Sequence, residues 1–146
     1  MAALDNYYQM VENVIKNLGV DPVTCRGEQP GQWNLKRGSA SVWVDVWNIQ
    51  TDNGDRGYFQ VMSPVMEIPV DNLGAYCKEL LEINHTLYGV AFTINKNWAY
   101  VKMIREVEGL DEMELSAMLN RVGFYADDYD DKLKAKYGSV TGGRPV

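Results

Sequence analysis

Histidine, cysteine and long apolar runs are scarce in this sequence, and each scarcity closes a route to function. A single histidine, His85, in 146 residues leaves no pair of imidazoles for a two-histidine metal site. Two cysteines, Cys25 in a turn-rich stretch and Cys77 in a helical pattern, form no C-x-x-C, so free thiols in a reducing compartment are expected. No apolar stretch reaches the roughly 20 residues of a membrane span, and the opening "MAALDNYYQMVENVIKNLG" carries Asp5 and Glu12 in place of a basic start. A cytoplasmic chain that does not enter a membrane is therefore expected, and "NHT" at Asn84 is a glycosylation match without use. Basic blocks are missing too: 14 basic against 20 acidic residues, a net charge of -6, would repel a phosphate backbone, which argues against nucleic acid as a partner.

Present instead is the make-up of one ordinary domain, 46% hydrophobic and 23% charged, long enough for one core and too short for two. Leu4, Tyr7, Tyr8, Val11, Val14, Ile15 and Leu18 recur at helical spacing, and Gly19 with Pro22 ends the run. The turn formers of "VDPVTCRGEQPGQ" predict a loop over 20–32, followed by a short strand at 33–35. From Ser41 the pattern becomes extended: "SVWVDVWNIQ", a turn on Asn53-Gly54, then "YFQVMSPVMEIP". A two-residue type I′ turn there would pair Asp52 with Asp55, Val46 with Val61 and Trp47 with Gln60, leaving Pro64 to disturb the far end. A second helix opens at Val70-Asp71, capped by Asp71 and packed through Leu73, Tyr76, Cys77, Leu80, Leu81 and Asn84. "YGVAFTI" and "WAYVKMIREV" flank "NKN" as a second hairpin, and Asp111 with Glu114 resembles a capping box for a long helix to about Tyr137. The order α-β-β-β-α-β-β-α, without βαβ alternation, defines an α+β fold: an antiparallel sheet of about five strands with three helices. One domain is expected over 1–138, with a flexible C-terminal tail over 139–146.

The stretch "YADDYDDKLKAKYG" poses the question of a metal, because Asp127, Asp128 and Asp131 spell D-D-x-x-D. At about 100° per residue, Leu115, Met118, Leu119, Val122, Ala126, Tyr129 and Leu133 share one side of the last helix. The three aspartates fall on the opposite side, with Asp130 at the border, so they are expected to face water. Asp128 with Lys132 and Asp130 with Lys134 form i,i+4 pairs with the acid N-terminal. "TDNGDRGYFQV" lacks the alternating aspartates and closing glutamate of a calcium loop, and "GEQPGQ" and "VTGG" lack the setting of a phosphate loop. No metal, no cofactor and no catalytic residue is expected; a cryptic enzyme would have to pair His85 with a cysteine.

The functional signal lies in the faces of the sheet. Alternation places Val42, Val44, Val46, Phe59, Val61, Val65, Val90, Phe92, Ile94, Val101 and Met103 on a core face. The other face collects Trp43, Asp45, Trp47, Ile49, Tyr58, Gln60, Met62, Thr93, Trp98, Tyr100 and Lys102. Bulky amphipathic side chains among polar ones are the composition of a contact surface, so Trp43, Trp47, Tyr58, Met62, Trp98 and Tyr100 are the expected partner-binding residues. From "VMSPVMEIPVDN" onward, the run S-P-V, a helix ending in L-x-x-x-N, Y-G-x-A-F, a hairpin, D-x-x-E-L and A-D-x-Y-D-x-x-L resembles the YbjN-domain family of bacterial sensory-transduction regulators. That resemblance spans about residues 58–138 and transfers no catalytic residue. The family is similar in fold to the type III secretion chaperones, which implies a small acidic cytoplasmic protein that dimerises and holds an extended segment of a client. The expected function is a non-catalytic, homodimeric protein-binding adaptor. The alternative is a small-ligand sensor that uses the aromatic face or a groove beside the first helix.

Overall fold

The computed structural model describes residues 3–138, so the expected tail over 139–146 lies outside the described residues. Helix α1, Asp5–Asn17, buries Val11, Val14 and Ile15, and it stops where Gly19 adopts φ 86° and donates its N–H to the Lys16 carbonyl at 2.9 Å. The stretch 20–32 is not all loop. Asp21 accepts the Val23 N–H at 3.1 Å and caps a single turn, α2, Pro22–Cys25, whose proline stands at the start where its missing donor does no harm.

Five strands follow: β1 Gln32–Arg37, β2 Ala40–Thr51, β3 Gly54–Glu67, β4 Ala91–Asn95 and β5 Trp98–Glu106, all antiparallel in the order β1-β2-β3-β5-β4. The first hairpin differs from expectation by two residues: Thr51 pairs with Gly54, Val46 with Phe59 and Trp47 with Tyr58. The Thr51 hydroxyl decides this, accepting from the Asn53 N–H at 3.3 Å and donating to the Gly54 carbonyl at 2.6 Å. The turn pair is therefore Asp52-Asn53, and Gly54 supplies the positive φ, 104°, one position later. A shift of two preserves parity, so each side chain keeps its expected face. The left-handed pair occurs in the second hairpin instead, at Lys96 and Asn97 with φ 47° and 69°. Pro64 marks an irregularity: the β3–β5 register slips between Pro64 and Met66, with Val65 as the extra, buried residue.

Helix α3, Leu73–Asn84, is not capped by Asp71. Asn72 holds the N-cap position in the left-handed region, φ 60°, and makes no side-chain cap bond. The helix buries Tyr76 and Leu80, whereas Leu73 (44%) and Leu81 (70%), both expected in its packed face, are exposed. It covers only the β4 edge and the end of α4, a narrower target than a sheet face. Asn84 docks it: its amide accepts the Phe92 N–H at 2.6 Å and donates to the Phe92 carbonyl at 3.3 Å.

Helix α4, Glu112–Tyr137, opens as expected, with the Asp111 carboxylate accepting the Glu114 N–H at 2.8 Å. Leu115, Met118, Leu119, Val122, Ala126 and Leu133 are buried against the sheet, and Tyr129 packs edge-on to Phe92. Asp131 is exposed and Asp128 pairs with Lys132 at 3.0 Å, as expected. Asp127 does not simply face water. The β1–β2 turn folds onto it, so that the Ser39 N–H and hydroxyl reach its carboxylate at 3.2 and 3.0 Å. Asp130 is buried and pairs with Lys134 at 2.5 Å.

All four helices join one buried cluster on one side of the sheet, with Val44, Phe59, Val61 and Val101 beneath them. Two expected core positions depart from that: Met103 is half-buried, and Ile94, at the turn end of the edge strand, is 44% exposed. Trp33 joins the core, opposite Val44 and edge-on to Tyr8 at 5.8 Å.

Candidate functional site

The face of the sheet that the helices leave free is built by alternation alone. Along β2, Trp43, Asp45 and Trp47 point outward while Val42, Val44 and Val46 point into the core. Cross-strand register sets Met62 beside Trp43, Gln60 beside Asp45 and Tyr58 beside Trp47. On β5, Lys102 neighbours Met62, and Tyr100 lies between Pro64 and Thr93. The Trp47 and Tyr58 rings are 6.0 Å apart and the Trp43 and Tyr100 rings 6.1 Å, both tilted.

Five of the six expected contact residues thus form one surface. Trp98 shares the face but lies a row further out, opposite Glu67 and Asn95. Tyr100 is buried, 8% exposed, because Trp43 covers it from the side; the other five are half-buried. The sequence reading passed over Ile104, 45% exposed beside Gln60, although the same alternation that places Tyr100 and Lys102 places it there.

At the centre of this surface sits Asp45. Among the described residues its one hydrogen bond is a long one, 3.4 Å, from the Gln60 amide, and no cation pairs with it. Burial pushes its carboxyl above the ordinary aspartate range, with the Gln60 bond opposing. The loop before β1 rises along the edge of the face and borders a shallow, open cavity of about 310 Å³ lined by Gln29, Pro30, Gln32, Asp45, Trp47 and Gln60, among others.

The groove beside α1, about 480 Å³, is of another kind. There Glu12 accepts two bonds from the Arg26 guanidinium, both at 2.8 Å, and one from the Trp33 indole at 2.9 Å. The Arg26 bond, chiefly, holds the Glu12 carboxyl below its usual range, against the opposing effect of burial. A third hollow, about 430 Å³ and apolar, lies between the end of α1, β1 and α4, with Leu18, Val20, Leu35 and Leu119 on its walls. The sequence offered no sign of it, because its walls come from three separate segments.

The helices pack on one face of a five-stranded antiparallel sheet, and an aromatic surface is left open on the other. The chain belongs to the family described as type III secretion (YopN, CesT) and YbjN peptide-binding chaperone 1, whose model matches residues 5–144. Among solved structures it is similar to the ExsC–ExsE complex, with a TM-score of 0.65 and 10% identity over 90% of this chain and 96% of the other. The HopA1–SchA chaperone–effector complex is also similar, with a TM-score of 0.61 and 9% identity over 90% of this chain and 99% of the other. At such identities the likeness is one of fold. No curated protein matches the chain in sequence.

Proposed function

We propose that this protein is a non-catalytic, chaperone-like adaptor, a homodimer of the bacterial cytoplasm whose one domain, residues 1–138, holds an extended segment of a client protein on the open face of its sheet. The observation that carries the reading is that face: Trp43, Trp47, Tyr58 and Met62 stay half-buried with no helix above them, in a chain of a peptide-binding family. Aromatic side chains give large contact area at low entropic cost and methionine adapts its shape, which suits a site that accepts an extended chain. The HopA1–SchA structure of like fold is a chaperone–effector complex, and an effector-like client is the corresponding partner here. A small-ligand sensor using the groove beside α1 is less favoured, because the charges that would hold a polar ligand there, Glu12 and Arg26, already satisfy each other.

The test is an affinity capture with wild type and a Trp43→Ala/Trp47→Ala chain. A client retained by the first and lost by the second supports the adaptor. Trp47→Ala alone is expected to weaken that client by about 2 kcal/mol or more, as truncation of a central aromatic does, with little change in melting temperature. A client bound equally by both proteins removes the open face from the mechanism.

A further inference from the structure

Asp45 is out of keeping with its surroundings. Trp43, Asp45 and Trp47 are alternate residues of one strand, so their side chains leave the same face about 7 Å apart. The carboxylate therefore stands between two indoles, with Met62 and Tyr58 on the neighbouring strand completing the rim. A carboxylate that loses water without gaining a cation lowers stability, and a position on an open sheet face imposes no need for one. Its neighbours in register are Gln32 on β1 and Gln60 on β3, with Ile104 a strand further on, so no titratable group faces it from either side. The charged groups elsewhere on the face, Lys36, Arg56, Glu67, Lys102 and Glu106, sit on other rows, and Arg56 is engaged with Glu106 at 3.5 Å. The cavity over Asp45 has one charge, this carboxylate; the rest of its polar lining is amide and backbone, and Trp47 forms its aromatic wall.

We propose that this cavity is a subsite for an arginine side chain of the client segment, the guanidinium stacking on Trp47 and pairing with the Asp45 carboxylate while the amide oxygens of Gln29, Gln32 or Gln60 accept its remaining N–H groups. The proposal rests on the reading of the open face as the client site and assigns it a chemistry. A guanidinium is planar, weakly hydrated and rich in donors, which fits an aromatic wall, one anion and several amide acceptors better than an ammonium does. It would also supply a cation that none of the described residues brings to Asp45. The elevated affinity of Asp45 for a proton agrees with this geometry, since a desolvated anion awaiting a cation holds a proton in its place.

The probe is the pentapeptide acetyl-Ser-Val-Arg-Val-Ser-amide, titrated into the full chain while the indole N–H signals of its four tryptophans are followed by NMR. A twin peptide carries citrulline, which keeps shape and removes charge. The expected result is that Trp47 and Trp43 shift, Trp33 stays still, and citrulline weakens binding at least tenfold. Asp45→Asn is expected to lose the arginine preference while melting no lower than wild type; a marked drop in melting temperature assigns Asp45 a structural role and overturns the proposal. Equal affinity for both peptides, with the same indole shifts, overturns the arginine subsite and leaves the client face standing. No indole shift with either peptide overturns the subsite, and the capture experiment decides separately on the face. Two other occupants are read in the same titrations: free L-arginine binding as tightly as the peptide, or indole shifts that follow protein concentration without peptide, replaces the client by a small ligand or a second copy and overturns the proposal.

Discussion

The buried Tyr76 hydroxyl shows how single groups set stability here. Tyr76 is fully buried on α3 and edge-on to Tyr137 at 4.9 Å, yet its hydroxyl has no hydrogen-bond partner among the described residues, and burial pushes its pKa far above the ordinary tyrosine value. Tyr76→Phe is expected to raise stability by about 1 kcal/mol, the desolvation of an unpaired hydroxyl being removed while the ring packing stays; a lower denaturation midpoint would show that the hydroxyl is engaged. Asp127 is the opposite case. Its carboxylate holds the Ser39 N–H and hydroxyl, so Asp127→Ala should lose about 1–2 kcal/mol, whereas Asp131→Ala should stay within about half a kcal/mol. Asp45 gives the pH dependence. Its folded-state pKa lies above the unfolded one, so its ionised form opposes folding at neutral pH and that opposition is relieved as pH falls through the raised value. Asp45→Asn should therefore melt at or above wild type at pH 7, and the gap should close on acidification; a gap that widens as pH falls would contradict the sign.

Among the elements, those settled by local chemistry were legible and those settled by distant contacts were not. The period-2 alternation of β2 and β3 identified both faces, and it survived a two-residue error in register because parity is all that a face requires. Asp111 and the apolar stripe of α4 were equally plain, because caps and stripes act within a few residues. The hairpin turn misled because Asn-Gly is a strong signal, yet the Thr51 hydroxyl captures the Asn53 N–H first. Nothing local to Asp127 announces Ser39, which lies 88 residues away, and the wall over Asp45 comes from a loop whose path depends on the packing of Cys25 and Trp33. The aromatic members of the open face were thus readable, and the cavity beside them was not. The second hairpin carries the element-scale prediction. Lys96 occupies a left-handed position that disfavours any side chain with a Cβ, by roughly 1–2 kcal/mol. Lys96→Gly should therefore stabilise, by up to about 1 kcal/mol after the entropy of the unfolded glycine is offset. A lower urea midpoint would mean that the Lys96 side chain has a packing role.

For the molecule as a whole, the question is which surfaces remain for assembly once the open sheet face is set aside for the proposed client. Among the described residues no helix is long and apolar enough to cross a membrane. The α3–β4 side exposes Leu81 (70%), Tyr88 (74%) and Ile94 (44%), large apolar side chains where α3 leaves its own stripe uncovered. Strand β4 is also an edge of the sheet, capped at Phe92 by Asn84 of α3. An edge strand beside exposed apolar groups suits a two-fold interface, since each copy offers the other the same strand and the same side chains. We expect a homodimer at micromolar concentration that pairs through this side and leaves both client faces outward. Light scattering should give about twice the 16.5 kDa of one chain, and Leu81→Glu should return the protein to one chain's mass, because two carboxylates would be buried across the two-fold axis. Trp47→Ala should leave the mass unchanged. A mass of one chain throughout the range for wild type would reject the dimer, and a Trp47→Ala protein that dissociates would move the interface onto the open sheet face and leave no room there for a client.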